Sequence, residues 1–178
     1  NDVTEGELLL DGIDIRKMPQ KQLRDHIAYV QQRAWLFAGT IAENLRYSNP
    51  NATDEELWHA LKVAQAEDFV RSLPDGLNSY VAQGGTNFSG GQKQQLSIAR
   101  ALVKKPELYI FDDSFSALDF KTDAALRRAL AYETQNAAVL IIAQRVSTIL
   151  HAEQILVLNE GEPIGIGTHQ ELLLTCPV

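Results

Sequence analysis

Three short apolar runs, Leu108–Phe111, Val139–Ala143 and Gln154–Leu158, constrain this chain more than any other feature. Each is bounded by breakers and too short for a helix. Each is nearly continuous in apolar residues, as expected of strands buried on both faces. Stretches with helical periodicity lie between and before them, at about Gly91–Lys104 and Thr122–Thr134. Two further runs, Glu7–Leu10 and Ile27–Gln31, read as strands closer to the N-terminus. Strand–helix alternation of this kind predicts an α/β domain around a largely parallel sheet.

Helix starts are marked by local chemistry. Thr40/Glu43, Thr53/Glu56 and Thr168/Glu171 each form a Thr-x-x-Glu capping box, in which hydroxyl and carboxylate satisfy each other's backbone amides. Pro19 suits the first turn of a helix reaching about His26. The second box opens a longer helix, about Asp54 to Ala66, with Leu57, Ala60, Leu61 and Ala64 at helical spacing. From about Thr40 to Lys104 the alternation breaks and the chain is mostly helical. Residues 40–104 are therefore expected to form a helical subdomain inserted into an α/β core made of residues 1–39 and 105–178.

Composition narrows the function classes. The chain has 178 residues with 45% hydrophobic and 22% charged, enough for one ordinary domain and its core. Its net charge of −7 argues against a nonspecific nucleic-acid or anionic-membrane binder. Apolar runs stop far short of the roughly 20 residues that a membrane helix needs. Cys176 is the sole cysteine, so no internal disulfide forms and a reducing compartment is expected. The four histidines, His26, His59, His151 and His169, read as surface or packing residues, and no Cys/His cluster has metal-ligand spacing.

Two motifs carry chemistry. Leu108-Tyr109-Ile110-Phe111-Asp112 is an apolar strand ending in an acid, and in open α/β sheets ligands bind beyond the carboxyl ends of strands. An aspartate there suits Mg²⁺. Phe88-Ser89-Gly90-Gly91-Gln92 precedes a helix whose free amides and positive dipole end suit a phosphate. Taken singly, the first also fits a solvated strand end and the second a capped flexible turn.

Together, the run from Asn87 to Asp119 resembles the ATP-binding cassette (ABC) family. Ser89-Gly90-Gly91-Gln92 matches its signature motif, Asp112 its Walker B acid, and Ser116-Ala117-Leu118-Asp119 its D-loop. Gln32 matches the Q-loop glutamine, Ile142-Ala143-Gln144-Arg145 the switch segment, and Gly167-Thr168-His169-Gln170-Glu171-Leu172 the closing segment. The resemblance spans essentially the whole chain. It implies a P-loop NTPase-like (RecA-like) core, ATP and Mg²⁺ as ligands, and ATP hydrolysis coupled to transport. Trp35 to Leu45 resembles the segment after the Q-loop in exporters, and implies a transmembrane domain as partner, at the cytoplasmic face of the membrane. Family dimers bury each ATP between one subunit's Walker motifs and the other's signature, which implies a second nucleotide-binding domain as partner. Gln83 is neutral where exporters carry an acid in a loop that touches the transmembrane domains.

By this resemblance, Asp113 and Gln144 occupy the catalytic positions. Gln32, Ser89, Gly90, Gly91, Gln92 and Asp119 occupy the nucleotide-binding ones, and Gln32 and Asp112 those that hold the metal. Three departures stand out. No Gly-x-x-x-x-Gly-Lys-Ser/Thr phosphate loop is present; the nearest spacing, Gly85 to Gly90, continues with Gly91-Gln92. The chain is expected to begin just after that loop's helix and, alone, to hold ATP poorly and hydrolyse none. Asp113 stands where the family has glutamate, one methylene shorter. Gln144 stands where it has histidine, and glutamine neither carries charge nor transfers a proton near neutral pH. The intact signature beside two altered catalytic positions resembles one half of a heterodimeric exporter with a degenerate site. Other readings are a noncatalytic or truncated cassette fragment and a soluble cassette protein acting on ribosomes or DNA. The last would carry basic patches or a long coiled-coil insert, and neither is present.

Overall fold

A computed structural model describes residues 3–176. In chain order the elements are β1 (Leu9–Leu10), β2 (Ile13–Asp14), α1 (Gln20–His26), β3 (Ile27–Val30), β4 (Gly39–Thr40), α2 (Ile41–Leu45), α3 (Asp54–Val63), α4 (Glu67–Ser72) and β5 (Tyr80–Val81). There follow α5 (Gly90–Lys104), β6 (Leu108–Asp112), α6 (Phe120–Glu133), β7 (Ala138–Ile142), α7 (Val146–Ile149), β8 (Ile155–Asn159), β9 (Glu162–Gly167) and α8 (His169–Thr175). The chain divides into two compact units between Leu140 and Ile141.

The first unit is built on a sheet with strand order β3-β6-β7. β3 and β6 run parallel, from Ile27 opposite Leu108 to Val30 opposite Phe111. Tyr109 and Phe111 are buried on β6 with their rings nearly parallel, and Phe115 packs against Phe111 at 5.4 Å. The predicted α/β class with a parallel sheet is therefore what forms.

The helical stretch packs on α5. Helices α2 and α3 lie against it, and Leu45, Leu57, Leu61, Leu96 and Ile98 are fully buried between them. Burying each such side chain contributes about 1.5–3 kcal/mol. All three predicted Thr-x-x-Glu boxes are closed in both directions. A fourth box, Ser89/Gln92, opens α5.

Four local expectations are corrected. α3 ends at Val63, short of Ala66, because Gln65 turns left-handed (φ 60°) and the chain restarts as α4. Pro19 is the N-cap of α1 with extended backbone, outside the first turn. β7 is not buried on both faces: Val139, Leu140 and Ile142 are 41–51% exposed. β8 is not a two-face-buried strand either, since it pairs antiparallel with β9 and exposes Leu156 and Leu158. An apolar run states how hydrophobic a strand is, and says nothing of what covers it.

In the second unit, β8 and β9 form a hairpin turned by Glu160 and Gly161, both left-handed. α8 packs on β9 and buries Leu172.

Candidate functional site

β3 and β6 end side by side because they are parallel and in register. Three polar side chains are thereby delivered to one place. Asp112 is the last residue of β6, and its Oδ2 accepts a 2.6 Å hydrogen bond from the Tyr29 hydroxyl. Asp113 follows with φ 44°, the left-handed region that few non-glycine residues enter. The Gln32 amide Nε2 donates to Asp113 Oδ2 at 3.0 Å. Beneath them the Ser114 hydroxyl, fully buried, donates to the Val30 carbonyl at 2.8 Å and ties the two strand ends together.

The donor chemistry of this cluster fits Mg²⁺. That ion prefers hard oxygens, usually one or two carboxylates with phosphate and water making up the rest. Asp112 and Asp113 supply carboxylates, and with Nε2 of Gln32 engaged by Asp113, its Oε1 is the atom free for a cation. Among the described residues no group of three or more His, Cys, Asp or Glu could hold a metal alone, so nucleotide and water oxygens would complete the shell.

Ser89 to Gln92, the residues that resemble the family's signature motif, lie at the start of α5. Ser89 Oγ accepts from the Gln92 amide at 3.2 Å, and Gln92 Oε1 accepts from the Ser89 amide at 3.0 Å. Gly90 and Gly91 form the first turn with no positive φ. A Cβ on Gly90 would meet nothing within 4 Å; on Gly91 it would make only ordinary contact with the Ala117 carbonyl at 3.4 Å. Nothing inside this chain requires glycine at either position, although glycine is a poorer helix former than alanine. The 116–119 loop thus lies against the signature turn. Asp119 itself caps α6, accepting from the Thr122 amide at 2.9 Å and hydroxyl at 2.7 Å, and these bonds hold its carboxyl below the ordinary value. Gln144 belongs to the second unit, exposed just past β7.

A third cluster is aromatic. Trp35, Tyr47 and Tyr80 are 51–66% exposed, and Phe37 stacks on Tyr47 at 4.6 Å. Arg100 of α5 donates to the Trp35 carbonyl at 2.9 Å and lies 5.7 Å from the Phe37 ring centre. Burial pushes the pKa of its guanidinium down, and its second terminal nitrogen is buried without a partner.

Sequence reading thus named Gln32, Asp112 and Asp113, which the fold unites, and Ser89 to Gln92, which form one turn. It missed Tyr29, Ser114, Gln94 and Arg100. Gln94 carries a legible signal: it falls at i with Ile98 and Leu102 at i+4 and i+8, a polar residue on the apolar stripe.

Known proteins resemble this chain in sequence and fold. The sequence profile described as ABC transporter matches residues 1–116. An uncharacterized ABC transporter ATP-binding protein of Mycobacterium tuberculosis is 48% identical over 179 aligned positions, covering 99% of this chain and 30% of that protein. A Staphylococcus aureus protein named for multidrug export as an ATP-binding/permease protein is 42% identical over 97% of this chain and 30% of its own length. The solved structure of a bacterial Atm1-family ABC exporter with ATP bound superposes with a TM-score of 0.94 at 38% identity, over 97% of this chain and 30% of that one. The chain spans about 30% of the length of the curated relatives it matches. The two strand-end acids, the glutamine that reaches the second of them and the glycine-opened helix agree with these matches, and the chain belongs to the ABC transporter family, in its ATP-binding domain.

Proposed function

We propose that this chain serves an exporter as an ATP-binding and ATP-hydrolysing unit at the cytoplasmic face of the membrane. It lends its signature turn to a nucleotide held by a second nucleotide-binding domain. The observation that carries this is the pair Gly90-Gly91. Two glycines stand where neither φ nor packing calls for them, which fits close approach of a phosphate from outside the chain. The amides of the first turn of α5 and its positive dipole end favour that anion.

The chain's own acid cluster is the weaker half. Asp113 has one methylene less than glutamate, and its carboxylate already accepts from Gln32. A displacement of about 1 Å at such a group can cost on the order of 100-fold in rate. Gln144 can donate to a phosphate oxygen and cannot shuttle a proton. Mg²⁺, when bound, would neutralise charge on the nucleotide's β- and γ-phosphates. The residues suited to hold it are Asp112 and Gln32. The exposed Trp35, Phe37, Tyr47 and Tyr80 suit docking of the transmembrane partner.

The test is steady-state ATP turnover in the assembled transporter. Gly91→Asp should nearly abolish it, because a carboxylate would stand where a phosphate meets helix amides. Asp113→Ala should reduce it far less. Equal inactivity of the two variants would make Asp113 a working catalytic carboxylate and end the degenerate-site reading.

A further inference from the structure

Gln94 is an expensive residue in its place. It is 2% exposed, on the face of α5 that otherwise buries Ile98 and Leu102. A buried amide is tolerated only when hydrogen-bonded, and an apolar side chain of similar size would suit this stripe better. Its Nε2 donates 3.2 Å to the carbonyl of Gln31, 63 residues away.

That carbonyl lies in a particular place. Gln31 is the first residue past β3. The preceding carbonyl, of Val30, is taken by Ser114 from the β6 side. The following side chain, of Gln32, reaches Asp113. Three consecutive residues at the exit of β3 are therefore each held, two by the segment just past β6 and one by α5. Gln94 is the holder that comes from α5, one turn beyond Gly90, in a helix whose Ser89 carbonyl accepts from the Lys93 amide at 2.9 Å.

We propose that Gln94 is a positioning residue: its amide hooks the turn Ser89-Gly90-Gly91-Gln92 to the strand end that carries Gln32, and so aligns the signature turn with the sheet. Gln94 touches no nucleotide in this role. Ser114 makes the anchor rigid, since it fixes Val30 to β6, so α5 is referenced to the same strand pair that presents Asp112 and Asp113. This inference rests on the exporter reading above, because it assigns Gln94 to the placement of a turn that meets the partner's nucleotide.

The test uses the assembled transporter. Gln94→Met keeps length and bulk and removes the donor. The turnover number should fall about tenfold with KM for ATP changed less than about twofold, the signature of lost transition-state alignment. Thermal stability should hold or rise. Hydrogen exchange should quicken at residues 89–93 and stay unchanged at 98–104, which a general loss of packing would not produce. In a Ser89→Ala background the added Gln94→Met should cost nothing further, as for residues that act as a unit. Gln94→Glu is the second variant: its ionised carboxylate cannot donate to the Gln31 carbonyl, whereas its protonated form can, so its turnover relative to wild type should recover as pH falls. Gln94→Met retaining more than half of wild-type turnover overturns the proposal. Failure of both variants to assemble overturns it as well, making Gln94 a folding residue. A wild-type transporter that turns over no ATP instead defeats the functional reading, and this inference with it.

Discussion

The Tyr29 hydroxyl donates to Asp112 Oδ2 across two parallel strands, at 2.6 Å. The register explains it: Tyr29 stands opposite Ile110, and Asp112 is two residues further on the same face. The bond to this carboxylate pushes the Tyr29 hydroxyl above its ordinary value of 10.0. A group whose pKa is raised by folding contributes stability below its unfolded value and loses it as pH rises through the folded one. Tyr29→Phe is therefore expected to flatten the loss of stability above pH 10, as read from urea midpoints across an alkaline series. Equal alkaline slopes for the two proteins would show that the bond contributes nothing.

Tyr109 is shifted upward for a different reason. Burial, with a smaller contribution from the Glu133 charge, pushes its hydroxyl from 10.0 to about 12. Its contribution is complete below pH 10 and disappears as pH climbs through about 12. Ultraviolet titration should show a tyrosine ionising near that upper limit in wild type that is missing in Tyr109→Phe. A full complement of ionised tyrosines by pH 11 in the folded protein contradicts this assignment.

Gly90 separates stability from function. Its Cβ position is open and its φ is not positive, so Gly90→Ala should stabilise α5 by up to about 1 kcal/mol. For a chain of this size that raises the melting temperature by about 2–4 °C. The same methyl group occupies the space through which a phosphate would approach, so ATP turnover of the assembled transporter should fall on the order of 100-fold. A variant both more stable and fully active would remove the argument that these glycines serve an external ligand.

β7 presents an apolar strand at the end of the β3-β6-β7 order, with Val139 41% and Leu140 51% exposed. Exposed apolar strand edges recruit other strands. The 178-residue chain on its own should self-associate with rising concentration, and Leu140→Lys should shift it towards monomer. Sedimentation velocity decides the matter: a monodisperse monomer for the unaltered chain at high concentration argues against an unsatisfied face.

Local chemistry was legible in the sequence because its partners lie within one helical turn. Each Thr-x-x-Glu box pairs groups three residues apart, and all three close as expected. The end of α3 was misplaced because apolar spacing runs on through Ala64, while Gln65 adopts a left-handed backbone that periodicity does not encode. β8 was misread because its run of apolar residues is the same whether a parallel sheet or the β9 hairpin receives it.

The sequence by itself determined the α/β class, the three Thr-capped helix starts and the residue types of an acid pair, a reaching glutamine and a glycine-opened helix. Only the tertiary structure decided that Gln32 bonds Asp113, that Tyr29 bonds Asp112, and that Gln94 and Ser114 take adjacent carbonyls at the exit of β3. These contacts join residues 63 to 84 positions apart. Such pairs meet only because the parallel register of β3 and β6 and the packing of α5 bring their carbonyls and side chains within hydrogen-bonding distance, and no spacing along the chain records that register.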